Sequence, residues 1–324
     1  SNLIMKKILI TGVCGFIGFN FANYLLAKNK QIEIVGVDNL NDYYSVKQKK
    51  QRLNLLKKNP NFIFIKIDIS NNRNLKKIFI KHKFDLVINL AAQAGVRYSI
   101  SNPEKYIESN TVGFFNILNN CKIQNIKKII YASSSSVYGG NTKYPSKEEY
   151  HLMPNNFYSL TKKNNEEQAE LYSKYYKLNL IGLRFFTVFG EWGRPDMMMM
   201  KYIKASYNKR EKFYLYNKGN HYRDLTYIGD VNKILAKLIN IKFKNHKIFN
   251  ICSNNPVKLT KILKIIDNLT STKPKIIKIV RQKADLLKTH GSNNKINKLI
   301  KFNKYTKLEV AIKNVINWYK NSIN

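Results

Sequence analysis

The chain has 324 residues, 44% of them hydrophobic, enough to bury a core in one large or two modest domains and too apolar for wholesale disorder. Lys and Arg number 57 against 20 Asp and Glu, a net charge of +37. The lysines are scattered among Asn and Ile without a basic block, and arginine is sparse, so the charge reads as compositional bias rather than as a nucleic-acid or membrane footprint.

Ser1 and Asn2 read as a cloning remnant ahead of the fold. Lys7–Thr11 is a short β-rich run, followed by glycines rather than by a signal-peptide cleavage site. A helical pattern covers Phe16–Ala27, a strand Glu33–Val37, a helix Ser45–Lys57, a strand Phe62–Lys66 and a helix Asn74–Lys81. Then come a strand at Leu86–Leu90, a helix at Glu104–Cys121, a strand at Lys128–Ala132, a helix at Phe157–Lys177 and a strand at Leu180–Phe185. Strands spaced by helices imply crossovers within a doubly wound parallel sheet, an α/β fold, and runs such as Ile8–Ile10 suit strands covered on both faces. After Phe185 the rhythm breaks into loops rich in Gly, Trp, Met and Tyr, which predicts a smaller C-terminal substrate-binding region. The expected division is 3–182, with roughly 224–252 returning to it, and then 183–223 with 253–324. Met197–Met200 reads as packing. No apolar run approaches the roughly 20 residues of a membrane helix. Cys14, Cys121 and Cys252 form no metal or disulfide pattern, so a reducing, cytoplasmic setting without a metal site is expected.

Three local patterns carry chemistry. Gly12, Gly15 and Gly18 follow the first strand and open a helix. Gly12 permits the tight turn, Gly15 lets backbone approach a pyrophosphate, Gly18 packs helix on strand, and the helix N-terminus offers N–H groups to phosphate. Cys14, inside this loop, reads as a small residue that fits. About 20 residues on, the second strand ends in Asp38, where a carboxylate accepts both adenosine ribose hydroxyls and repels a 2′-phosphate. The expected cofactor is NAD. Tyr158 and Lys162, spaced i, i+4, share one helical face, and a cation beside a phenol favours its ionised form. The serine run Ser133–Ser136 directly follows the fifth strand, placing hydroxyls at the C-terminal edge of the sheet as partners for Tyr158.

In these motifs, and in the stretches Asp38–Tyr44, Ala91–Ser99, Leu183–Gly190 and Trp192–Met197, the chain resembles the NAD-dependent epimerase/dehydratase family of extended short-chain dehydrogenases. The likeness is strongest over Lys6–Ile228 and lies toward the branch acting on UDP-glucuronate. It implies a Rossmann-like fold, a homodimer, and an isomerase that interconverts UDP-glucuronate and UDP-galacturonate through a 4-keto sugar. By resemblance Tyr158 is the base, Lys162 its tuner and ribose anchor, and Ser134 the hydroxyl relay. Phe16, Ile17, Asn39, Asp68, Ile69, Leu90, Ala91, Ala92, Gln93 and Asn110 line the cofactor with the glycines and Asp38. Arg223 holds the UDP phosphates, while Arg194, Thr187, Ser135 and Ser136 surround the sugar carboxylate. Family dehydratases carry an Asp-Glu pair where Ser135 and Ser136 stand, so an epimerase is expected and a dehydratase is not. The chain departs from the branch at Glu191, usually Pro, at Ser134, often Thr, and at Gly229, usually Asp. Two alternatives remain: a 4-epimerase of neutral UDP-sugars, and a dinucleotide-binding scaffold with a polyanion-binding basic surface.

Overall fold

The computed structural model describes residues 6–140, 143–281 and 286–323. Ser1 and Asn2, and Leu3 at which the first expected domain begins, lie outside the described residues. In chain order the elements begin β1 (Lys6–Thr11), α1 (Phe16–Lys28), β2 (Ile32–Asp38), α2 (Val46–Leu56), β3 (Phe62–Lys66), α3 (Asn72–His82) and β4 (Leu86–Asn89). Next are α4 (Tyr98–Ser101), α5 (Pro103–Tyr106), a π-helical turn (Ile107–Val112), α6 (Gly113–Ile123), β5 (Lys128–Ser134), a 3-10 turn (Ser135–Tyr138), α7 (Phe157–Tyr176) and β6 (Asn179–Phe185). The remainder is β7 (Thr187–Phe189), α8 (Met198–Tyr207), β8 (Lys212–Tyr216), β9 (Tyr222–Tyr227), α9 (Ile228–Leu238) and β10 (His246–Ile251), then β11 (Pro256–Lys258), α10 (Leu259–Thr270), β12 (Lys275–Ile279), α11 (Asn294–Ile300) and α12 (Leu308–Ile323).

Two compact units share these elements: Ser1–Asn141, Glu148–Phe185 and Leu235–Phe249 form the first, and Thr142–Lys147, Phe186–Ile234 and Asn250–Asn324 the second. Among the described residues, the first unit holds a seven-stranded sheet ordered β10-β6-β5-β4-β1-β2-β3. Every pairing from β3 across to β6 is parallel. This is the doubly wound Rossmann-like order, and its reversal falls between β1 and β4, where such sheets bind ligands at their carboxyl ends. Leu9, Val35, Val87, Ile129 and Leu180 pack against Phe79 of α3, Phe114 and Ile117 of α6 and Ala169 of α7. Ile8 and Ile10, on the opposite face, are equally buried, which is why these strands lack a polar alternation.

One predicted element needs correction. The run read as a single helix over Glu104–Cys121 begins at Pro103 and ends at Ile123, and it is interrupted by the π turn over Ile107–Val112. A π turn inserts one residue into the ladder, which rotates the following face without breaking the helix. β10, which the strand–helix rhythm does not single out, sits beside β6.

In the second unit β9 pairs with β7 in parallel and with β11 antiparallel, and β8 pairs with β12 in parallel. Its core joins Met199, Met200, Tyr202 and Ile203 of α8 to Ile262 and Ile266 of α10 and Ile312 and Val315 of α12. The last two residues of the methionine run therefore fill this core.

Candidate active site

The glycine loop is built by close backbone approach. Gly12 has φ +67°, and a Cβ there would stand 2.7 Å from the Ala91 nitrogen, so the loop after β1 rests directly on the end of β4. A Cβ on Gly18 would meet the Gly12 carbonyl oxygen at 2.2 Å, fixing how α1 leaves the loop. Gly15 is the N-cap of α1 and caps no N–H through a side chain, leaving the first turn free to face an anion. Cys14 is wholly buried, and burial pushes its thiol upward, so it stays a neutral packing residue. Phe16 is buried and Ile17 half-buried. Asp38 ends β2 and accepts from the Cys14 N–H at 2.9 Å and the Leu40 N–H at 2.8 Å. Burial pushes its carboxyl above the usual range, against those two N–H groups and the Lys49 and Arg52 charges.

The opposite wall is just as ordered. The Thr11 hydroxyl donates to Asn89 at 2.6 Å and accepts from the N–H groups of Leu90 and Ala91, tying β1 to β4 at the switch point. Leu90, Ala91 and Ala92 are half-buried beyond it, and Gln93 is buried. Asn110 lies in the π turn and clamps Gln93 from both sides: its oxygen accepts the Gln93 N–H at 2.7 Å, and its amide donates to the Gln93 carbonyl and to Thr161. Asn165 of α7 in turn donates to the Asn110 carbonyl at 2.7 Å. Asn110 thus acts on this wall through Gln93. The Asn39 amide donates to Asp68 at 2.6 Å. Burial pushes the Asp68 carboxyl up, but Ser70 and Asn39 outweigh it and hold the group low. Ile69 is buried under Gly113, where a Cβ would approach it to 2.6 Å.

Tyr158 and Lys162 are placed by the start of α7. Asn156 accepts the Ser159 N–H at 2.9 Å while the Ser159 hydroxyl accepts the Asn156 N–H at 3.2 Å, a reciprocal capping box worth about 1 kcal/mol. That box makes Tyr158 the second helical residue and sets Lys162 one turn below it. The Lys162 nitrogen lies 5.9 Å from the Tyr158 ring centroid and donates to the Ala132 carbonyl at 2.9 Å. Lys162 is 2% exposed, and that carbonyl is the one acceptor its ammonium contacts among the described residues. Burial pushes it down to about 8, with Glu166 pulling the other way. Tyr158 packs edge-on to Tyr106 at 6.1 Å.

Ser134 ends β5 and accepts the Ser136 N–H at 3.2 Å, capping the 3-10 turn on which Ser135 and Ser136 sit. The buried Ser136 hydroxyl oxygen has no hydrogen-bond partner among the described residues, as expected of a group shaped for a ligand. Below lies a network the motif reading missed. Glu166 accepts from the Ser133 hydroxyl at 2.6 Å and from Arg184 at 2.9 and 2.7 Å, and Arg184 also donates to the Tyr138 hydroxyl and the Glu148 carbonyl. The signals were present: Glu166 continues the Tyr158–Lys162 face, and Arg184 is a cation inside an apolar strand.

These groups all belong to the first unit; Thr187, Arg194 and Arg223 belong to the second. Thr187 is half-buried on β7. Arg194 forms a two-bonded pair with Asp196, at 3.0 and 2.5 Å. Glu191, three residues before Arg194, accepts the Tyr227 hydroxyl at 2.7 Å. Arg223 is half-buried on β9 and donates to the Tyr222 carbonyl at 2.9 Å. Among the described residues no group of three or more His, Cys, Asp or Glu is arranged to hold a metal.

The residues fit a dinucleotide: a glycine cradle without side chains, a buried carboxylate at the end of β2, and a buried ammonium with donors to spare. Fold and site define a dinucleotide-binding enzyme whose tyrosine and lysine share one helix face. Residues 8–252 match the model of the NAD dependent epimerase/dehydratase family, and the chain belongs to that family. It is 39% identical to protein CapI of Staphylococcus aureus over 97% of this chain and 98% of that one. It is 38% identical to UDP-glucuronate 4-epimerase of Thermodesulfobacterium geofontis, with 98% of each chain covered. The crystal structure of UDP-glucuronic acid 4-epimerase from Bacillus cereus, in complex with UDP-glucuronic acid and NAD, superposes with a TM-score of 0.90 at 26% identity, covering 98% of this chain and 99% of that one. Among the described residues, no helix is long and apolar enough to cross a membrane.

Proposed function

We propose that the protein is an NAD-dependent 4-epimerase of UDP-hexuronates, interconverting UDP-glucuronate and UDP-galacturonate. The observation that carries this reading is the buried Lys162 on the face of Tyr158, below a strand end bearing the Ser134, Ser135 and Ser136 hydroxyls and no carboxylic acid. The whole-chain similarity to UDP-glucuronate 4-epimerase of T. geofontis supports it.

The glycine loop holds the pyrophosphate, Asp38 the adenosine ribose, Asp68 and Ile69 flank the adenine, and Lys162 anchors the nicotinamide ribose. NAD, when bound, takes the hydride from C4 of the sugar and returns it to the other face. Tyr158 removes the 4-hydroxyl proton, directly or through Ser134, and the Lys162 charge favours the phenolate that does so. Tyr158 then gives the proton back to the inverted alcohol. With no acid at Ser135 or Ser136, nothing is placed to expel water from C6. Ser135, Ser136, Thr187 and Arg194 receive the sugar carboxylate and Arg223 the diphosphate. Residues 3–182 with about 224–252 act as the NAD-binding domain and the remainder as the nucleotide-sugar domain. Exposed Ile107, Val112 and Phe115, with Leu160, Leu171 and Tyr175 on α7, support a homodimer across these helices. Three buried free thiols support a reducing, cytoplasmic setting.

One observation favours a second reading, epimerisation of a neutral UDP-sugar: Asp196 already occupies one edge of Arg194. Incubation of the purified protein with UDP-glucuronate and, separately, UDP-glucose, without added NAD, decides between them by NMR. UDP-galacturonate from the first tube alone is the expected result; UDP-galactose alone moves the protein to the neutral-sugar branch, and no product from either refutes both.

A further inference from the structure

The loop that carries Arg194 holds backbone that its residues do not favour. Gly190 has φ +153°, and a Cβ there would lie 2.1 Å from the Ile228 side chain. Trp192 has φ +60°, a left-handed conformation that a bulky side chain rarely adopts and that persists only where surroundings impose it. The Gly193 N–H closes the turn on the Gly190 carbonyl at 3.1 Å.

Two neighbours impose it, and both lead to one face of α12. The Trp192 ring packs on Trp318 with centroids 5.3 Å apart, and Trp318 is itself seated against the core of the second unit. One residue earlier, Glu191 accepts the Tyr227 hydroxyl at 2.7 Å, and that hydroxyl accepts from the Asn314 amide at 3.2 Å. Asn314 and Trp318 are spaced i, i+4 and so lie on the same stripe of α12. Gly229 makes the relay possible, since a Cβ there would come within 2.6 Å of the Tyr227 ring.

We infer that α12 clamps this loop through Asn314 and Trp318, making Trp318 a specificity-determining positioning residue that fixes where Arg194 meets an anionic sugar. The clamp holds the loop that carries Arg194, so its release is expected to affect the sugar carboxylate more than the diphosphate. The kinetic part rests on the UDP-hexuronate reading; the clamp itself does not.

The chain has only two tryptophans, Trp192 and Trp318, so any Trp–Trp exciton signal arises from this pair. Trp318→Ala is expected to raise KM for UDP-glucuronate, and its Kd read by calorimetry, about tenfold while the Kd for UDP-glucose and kcat on UDP-glucuronate stay within about twofold, and Trp318→Phe is expected to recover most of the loss. Equal rises for both sugars, or no rise for either, would overturn the specificity role. Asn314→Ala and Tyr227→Phe keep both indoles. In them the Trp–Trp exciton signal in circular dichroism should weaken and acrylamide quenching should increase. Unchanged exciton and quenching signals in both variants would overturn the clamp. If the wild type turns over no UDP-glucuronate, the functional reading fails and these optical measurements still decide the clamp.

Discussion

Neutralising Glu166 perturbs the site without touching a reacting group. Its carboxylate accepts two bonds from Arg184 and one from the Ser133 hydroxyl, and among the described residues it is the charge that holds Lys162 up against burial. One helical turn separates Glu166 from Lys162, so a separation of about 6 Å at an effective dielectric of roughly 20 makes that attraction worth about 3 kcal/mol, or roughly two pH units. Glu166→Gln removes the attraction and leaves Arg184 uncompensated nearby, so Lys162 loses its proton at lower pH. If Lys162, lowered by burial to about 8, sets the alkaline limb of kcat/KM, that limb should therefore move down by about two units. Breaking one side of a buried pair should also cost about 3–5 kcal/mol of stability, read as a fall in Tm. The double variant Glu166→Gln with Arg184→Met removes the stranded charge. It should recover most of the stability while its limb stays between the other two. Profiles measured on UDP-glucuronate decide the matter. A folded Glu166→Gln enzyme whose alkaline limb has not moved would refute the electrostatic role and leave the pair purely structural.

Three further outcomes are expected. Tyr158→Phe should lower kcat by about 10²–10⁴ while the purified protein still carries NAD, measured by nucleotide release and chromatography; retained turnover would remove Tyr158 from proton transfer. Gly18→Ala, whose new Cβ meets the Gly12 carbonyl, should cost roughly 1–3 kcal/mol and lower the NAD content of the purified protein, and full occupancy would show that the loop yields easily. His246 bridges the Tyr131 hydroxyl at 2.8 Å and Glu170 at 2.9 Å. Burial lowers its folded pKa, against Glu170, so the unfolded chain binds the proton first. Stability is then present above the unfolded value of about 6.5 and falls as pH drops through it toward the folded value. Tm scans from about pH 7.5 to about pH 5 should show a slope that His246→Gln reduces; identical slopes would exclude His246.

How much of this was legible depends on how far each signal reaches along the chain. The parallel sheet declares itself because its strands are buried on both faces, and the glycine loop because close backbone approach tolerates no side chain at Gly12 or Gly18. Tyr158 and Lys162 were legible because four residues along a helix is one face. The π turn was not: one inserted residue leaves the apolar periodicity of 104–121 nearly intact, yet it turns Asn110 onto Gln93 and Thr161. Nor was the Glu166–Arg184 pair, whose partners come from a helix and a strand and meet only once β5 and β6 are aligned.

At the substrate loop two acids, Glu191 and Asp196, stand within three residues of Arg194, and the sequence leaves either open as its partner. In the fold Glu191 accepts the hydroxyl of Tyr227, a residue 36 positions away in sequence, while Arg194 pairs with Asp196 only two residues on. If Arg194 receives the carboxylate of an anionic sugar, as proposed above, two consequences follow. Arg194 already carries a counter-charge, so a carboxylate arriving there shares the guanidinium with Asp196 and gains less than a full charge pair would give. And because Asp196 orients the fork in advance, less side-chain entropy is lost when the sugar binds. Selectivity for a uronate then depends on where the loop holds Arg194 more than on its charge alone. A loop whose left-handed Trp192 and tethered Glu191 both lead to α12 is built to fix that position.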